Sequence, residues 1–96
     1  MIQVHRFMPD ALAEILRKVP LSDSKVAFAW RSSVGPAIDR GTTVTLAGGV
    51  LRVVPKEPAW GREVERSAVL IRARLESLLG RGVVRTITIE HDKQSG

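Results

Sequence analysis

Thr42-Thr43-Val44-Thr45-Leu46-Ala47-Gly48-Gly49-Val50-Leu51-Arg52-Val53-Val54 is the stretch whose reading decides the fold. From Thr42 to Leu46 the chain alternates, with Val44 and Leu46 on one side and Thr43 and Thr45 on the other. Leu51 and Val53 resume the apolar alternation after Gly48-Gly49. Two period-two runs joined by a glycine pair read as a β-hairpin, because glycine readily takes the positive φ of a tight hairpin turn. Such a pattern buries one face and leaves the other open.

Beyond the hairpin, Pro55 and Pro58 bracket a break, and the spacing predicts a long helix from about residue 59 to 79. Trp60, Val64, Ala68, Ile71, Leu75, Leu78 and Leu79 fall within a stripe roughly 100° wide, as expected of a core-facing helix. Arg62 and Arg66 project from the opposite side. Gly80 and Gly82 end the helix. Residues 83–90 read as a last strand, with Arg85, Ile87 and Ile89 on one face and Val84, Thr86, Thr88 and Glu90 on the other.

Before the hairpin, Pro9 suits a first helical position. Leu12, Ile15, Leu16 and Val19 form an apolar stripe that Pro20 stops. Ser22 or Asp23 caps a second helix, with Val26, Ala27, Trp30 and Val34 on one face and Phe28 pointing away. Gly35-Pro36 breaks it, and Ala37-Ile38 adds one more turn before Gly41.

The predicted order is therefore α-α-β-β-α-β. A three-stranded sheet with one apolar face needs helices over that face, which gives a two-layer α+β sandwich. The expected core is Leu12, Leu16, Val26, Trp30, Val44, Leu46, Leu51, Val53, Val64, Ile71, Leu75, Ile87 and Ile89. The other face carries Thr43, Thr45, Arg52, Thr86 and Thr88. It reads either as solvated strand surface or as a polar platform for a partner. Residues 1–96 are read as a single domain, folded over about 9–90, with flexible tails at 1–8 and 91–96.

Composition narrows the function. The 96 residues include fifteen Lys+Arg and ten Asp+Glu, a net charge of +5, and no cysteine. That excludes a disulfide framework, a thiol nucleophile and a thiolate zinc site. No apolar run approaches the ~20 residues of a membrane span, and the first residues lack the apolar core of a secretion signal. A cytoplasmic protein is expected. His5 and His91 lie near opposite ends, and with Asp92 they match no metal-ligand spacing. No catalytic constellation, metal site or cofactor is expected, and there is no GxxG or phosphate-binding loop.

The basic excess favours an acidic partner. Arg62 and Arg66, followed by Arg72, Arg74, Arg81 and Arg85, form a stripe that can bind phosphates. With Glu63, Glu65 and Glu76 interspersed, it can equally be a solvated helix face. Trp30 and Trp60 lie on apolar stripes and are read as core. Phe28 and Phe7 are the better candidates for exposed aromatics, although Phe28 can also pack against the first helix.

Trp30-x-x-x-Val34-Gly35-x-Ala37-Ile38, then Thr42, Leu46, Gly49-x-Leu51-x-Val53, then Pro58-Ala59-Trp60 with Glu63, and Leu75-x-x-Leu78 before a final strand, resemble the DciA family. The resemblance covers about residues 10–90. It implies a KH-like fold, which agrees with the independently predicted element order. It also implies a non-enzymatic factor that helps recruit or load the DnaB-type replicative helicase onto single-stranded or forked DNA at bacterial replication initiation. Members often carry His immediately before the first strand's Thr, where this chain has Gly41, and here Gly61 follows Trp60. Trp30, Gly35, Leu51 and Trp60 are expected as structural motif positions. Loss of a buried Trp60 is then expected to cost about 3–5 kcal/mol. Charge and expected exposure, independently of the family, select Arg31, Arg40, Arg52, Lys56, Arg62 and Arg66 for DNA. Two further readings stand beside this one. In one the chain is a protein–protein adaptor docking through Phe28 or an open sheet edge, without direct nucleic-acid binding. In the other it is a small KH-like RNA-binding protein.

Overall fold

The hairpin forms as its pattern requires. In the computed structural model, which describes residues 10–90, strand β1 (Thr42–Ala47) pairs antiparallel with β2 (Val50–Pro55). Gly48 and Gly49 have φ of 58° and 81°, the pair of positive values that a two-residue type I′ turn demands. Val44 faces Val53 and Leu46 faces Leu51, so the apolar residues of both strands share one side. Leu51 and Val53 are fully buried.

The remaining elements are α1 (Asp10–Lys18), α2 (Asp23–Val34), α3 (Pro36–Arg40), α4 (Pro58–Arg66), α5 (Ala68–Leu79) and β3 (Thr86–Ile89). β3 lies parallel to β2, setting Ile87 beside Leu51 and Ile89 beside Val53, and the strand order is β1-β2-β3. A parallel pair needs a crossover, which α4 and α5 supply. The result is an α+β domain with helices over one sheet face. α2 and α3 contact β1, α4 contacts β2, and α5 packs on α1 and α2. The other face exposes Thr43, Thr45, Arg52, Thr86 and Thr88, as expected. Arg52 and Glu90 form an ion pair of 3.4 Å.

The core matches the expected residues closely. Val26, Trp30, Leu51, Val53, Val64, Ile71 and Leu75 are buried, and Leu16, Val44, Leu46, Ile87 and Ile89 pack against them half-buried. The side chain of Leu12, the expected tails at 1–8 and 91–96, and Phe7, Pro9, His5, His91 and Asp92 lie outside the described residues.

Several expectations need correction. The stretch expected to be one helix is two, broken at Ser67, which has φ −108° and ψ 16°. Its N–H is shared between the carbonyls of Glu63 and Val64. The break lets α4 lie on the sheet while α5 packs on the first two helices. Gly61 serves the same end, since a Cβ there would come within 3.2 Å of Pro55 and 3.4 Å of Ile89. On α2, Ala27 is exposed, while Ala29 and Ser33 are buried beside Trp30. On α1, Ile15 is 60% exposed, and Val19 just beyond its end is also exposed, so Leu16 anchors the described part of that helix. The last strand starts at Thr86, later than expected. The turn before it reverses the assumed alternation, so that Val84 is buried and Arg85 exposed.

Buried and capping hydrogen bonds lock the helices. Ser22 caps α2, its Oγ accepting from Lys25 N–H at 3.1 Å. The buried Lys25 Nζ donates to the carbonyls of Val19 (2.5 Å) and Arg17 (3.3 Å), placing a cation at the negative end of α1. Deeper in the core, Trp30 Nε1 donates to Thr42 Oγ1 at 3.0 Å, and that hydroxyl donates to the Ile38 carbonyl at 2.7 Å. One hydroxyl thus joins α2, α3 and β1. Thr42→Val keeps the shape and removes both bonds, so it should lower stability by about 1–3 kcal/mol. Thr43→Val, on the open face, should stay within about 0.5 kcal/mol. Urea denaturation of the two variants checks this, with a lower midpoint and an unchanged slope expected for Thr42→Val.

Candidate nucleic-acid interface

The junction between α3 and β1 builds the candidate site. Gly41 ends α3, its N–H reaching the carbonyls of Ala37 and Ile38, and its own carbonyl accepts from Lys56 N–H at 2.8 Å. The end of the hairpin is thereby fastened to the start of it. Trp60, in the first turns of α4, lies directly over Gly41. A Cβ at Gly41 would fall 2.5 Å from the indole Nε1 and Cε2, so only glycine permits this approach.

Beside this contact opens a cavity of about 260 Å³, lined by Ala37, Arg40, Gly41, Lys56, Glu57 and Trp60. Trp60 is half-buried, which corrects its reading as core. Its ring packs against Gly41 and borders the cavity. The expected loss for removing a fully buried aromatic therefore does not apply to it. Its Nε1–H has no acceptor among the described residues, whereas Trp30 Nε1–H is fully buried and bonded. The two tryptophans look alike in the sequence and have different surroundings in the fold.

The six cations selected from the sequence separate by their partners. Arg40 and Lys56 meet at the cavity. Arg31, in the last turn of α2, and Arg62, on α4, are exposed elsewhere. Among the described residues the side chains of these four make no hydrogen bond or ion pair. Arg52 is paired with Glu90, and Arg66 with Glu63 at 2.9 Å. Both pairs are exposed, of the kind worth little to stability, but they partly neutralise the cations.

The other arginines of the expected stripe make local contacts. Arg72 donates to the Arg85 carbonyl at 2.7 Å, Arg74 to the Ser33 carbonyl at 2.9 Å, and Arg85 to the Gly48 carbonyl at 3.3 Å. These guanidinium groups clamp backbone at element ends. Arg81 lines a second cavity of about 300 Å³ with Arg17, Ala73, Glu76 and Ser77, where Arg17 also donates to the Ser77 carbonyl. Among the described residues there is no cluster of His, Cys, Asp or Glu fit to hold a metal, and no helix is long and apolar enough to cross a membrane. Phe28 is 48% exposed on α2, away from the buried face.

Residues 3–89 match a family model described as Dna[CI] antecedent, DciA. A UPF0232 protein of Mycolicibacterium smegmatis is 31% identical over 70 residues, which is 72% of this chain and 36% of that protein. The chain thus spans little more than a third of the length of the curated relative it matches.

The Gly41 contact makes a direct prediction. Gly41→Ala must push Trp60 off its seat, because ring and methyl cannot share that space. The variant should lose about 1–3 kcal/mol of stability. Its tryptophan emission should shift to the red as Trp60 becomes more hydrated, which a fluorescence spectrum under native conditions records.

Proposed function

Because the chain belongs to the DciA family, we propose that it is a non-enzymatic accessory factor that helps recruit or load the DnaB-type replicative helicase at bacterial replication initiation. The family match over residues 3–89 carries this reading. Its DNA part draws support from the structure's charge arrangement. Arg31, Arg40, Lys56 and Arg62 present exposed cations without protein partners among the described residues, on a chain of net charge +5. Such groups bind a phosphate backbone by releasing its counterions. Single-stranded or forked DNA is the proposed nucleic acid. Arg52 and Arg66 are proposed as further phosphate contacts, with smaller contributions because Glu90 and Glu63 already face them.

A second reading is favoured by one observation, the exposure of Phe28. In that reading the chain docks on a partner protein and contacts no nucleic acid. The two separate in one binding experiment on single-stranded DNA, with and without purified helicase. The DNA reading expects salt-sensitive binding by the chain alone. The adaptor reading expects capture of helicase with no DNA shift even at low salt. Replacing Arg31, Arg40, Lys56 and Arg62 together by Ala should flatten the plot of log affinity against log salt by about 2–3. Replacing Arg52 and Arg66 should change that slope by less. Equal slopes for the two variants would remove the four unpaired cations from their proposed role.

A further inference from the structure

We propose that the cavity between α3 and the β2–α4 turn holds a single unpaired nucleotide, its base stacked on Trp60 and its phosphate between Arg40 and Lys56. The inference rests on the DNA-binding reading above and names a particular subsite within it. Four observations support it. The cavity, at about 260 Å³, is smaller than the roughly 300–1,000 Å³ of pockets for drug-sized molecules, a scale that suits one flat ring. Its wall includes a half-buried indole seated against Gly41, so the ring is already in position before any ligand arrives. Aromatic platforms of this kind take bases of any sequence, because every base has a π-face. The two cations at the rim have no competing partner among the described residues.

The fourth observation selects among acidic ligands. Glu57 lines the same cavity. Its carboxylate accepts hydrogen bonds and repels negative groups, acidic side chains and phosphates alike, so a ligand that fits must carry donors apart from its negative charge. A nucleotide offers N–H groups on its base as well as phosphate oxygens, so it can satisfy the glutamate and both cations together. A duplex does not fit this arrangement, since its bases are stacked and paired within the helix. The cavity therefore favours single strands over duplex, whereas the scattered surface arginines do not.

The test titrates the full chain with an oligodeoxycytidine strand of about 12 nucleotides, an abasic strand of the same length, and a duplex, while following tryptophan emission and affinity. The single strand should quench emission, and the abasic strand should bind more weakly without quenching. Trp60→Ala should weaken binding of the single strand by about ten-fold while leaving the salt slope unchanged, because no charge is removed. Trp60→Phe, which keeps a ring over Gly41, should retain most of the affinity and lose the quenching, and it guards against a folding defect in the alanine variant. If the chain binds the strand but Trp60→Ala and the abasic strand behave like the originals, the subsite is overturned and the DNA reading survives. If no DNA binds at low salt, both fail. A polyglutamate peptide that quenches Trp60 and displaces the strand at equal concentration would give the cavity to a protein segment and overturn the proposal.

Discussion

The hydroxyl of Thr42 is the point on which the rest of the structure depends. It accepts from the Trp30 indole and donates to the Ile38 carbonyl, so one buried atom sets the positions of α2, α3 and β1. A buried indole N–H left unpaired would be costly, which makes this geometry strongly preferred over near alternatives. The next residue toward the N-terminus is Gly41, where Trp60 closes down and the cavity begins. Core and candidate site thus meet at adjacent residues. A shift of β1 against α3 would disturb both.

This adjacency explains why the two tryptophans have opposite characters. Trp30 lies inside, with its polar atom satisfied by the threonine. Trp60 packs on the solvent side of the same junction, with glycine against it and cations around it. The charges follow a similar division. Arg17, Arg72, Arg74 and Arg85 reach backbone carbonyls, and the buried Lys25 closes the end of α1. The excess positive charge of the sequence is therefore part scaffold and part surface. The surface part includes Arg31, Arg40, Lys56 and Arg62.

Much of the fold was legible because local signals agreed with the tertiary structure. Strict alternation around Gly48-Gly49 determines the hairpin and its buried face, and the stripe from Val64 to Leu79 determines the inner side of the long helical stretch. Other features have no local signal. The break at Ser67 contains neither glycine nor proline. It arises because the sheet and the first two helices demand different directions of the same stretch. Val84 faces inward because a turn precedes the strand, which alternation alone does not reveal. Trp60 looked like core because it sits on the stripe, and only the approach of Gly41, nineteen positions earlier by number, turns that stripe position into the wall of a cavity. Arg40 and Lys56 were identifiable as exposed cations, but their meeting depends on the bond from Lys56 N–H to the Gly41 carbonyl.

The division of roles between the two tryptophans is the central claim, and the chain contains only these two. A nitrogen–proton correlation spectrum of the ¹⁵N-labelled chain therefore gives two indole signals, assignable with Trp60→Phe. Titration with a single-stranded oligonucleotide should move the Trp60 indole signal progressively and leave the Trp30 signal in place, protected from solvent exchange. A Trp60 signal that stays fixed while the strand binds, or a Trp30 signal that moves in its stead, would contradict the account.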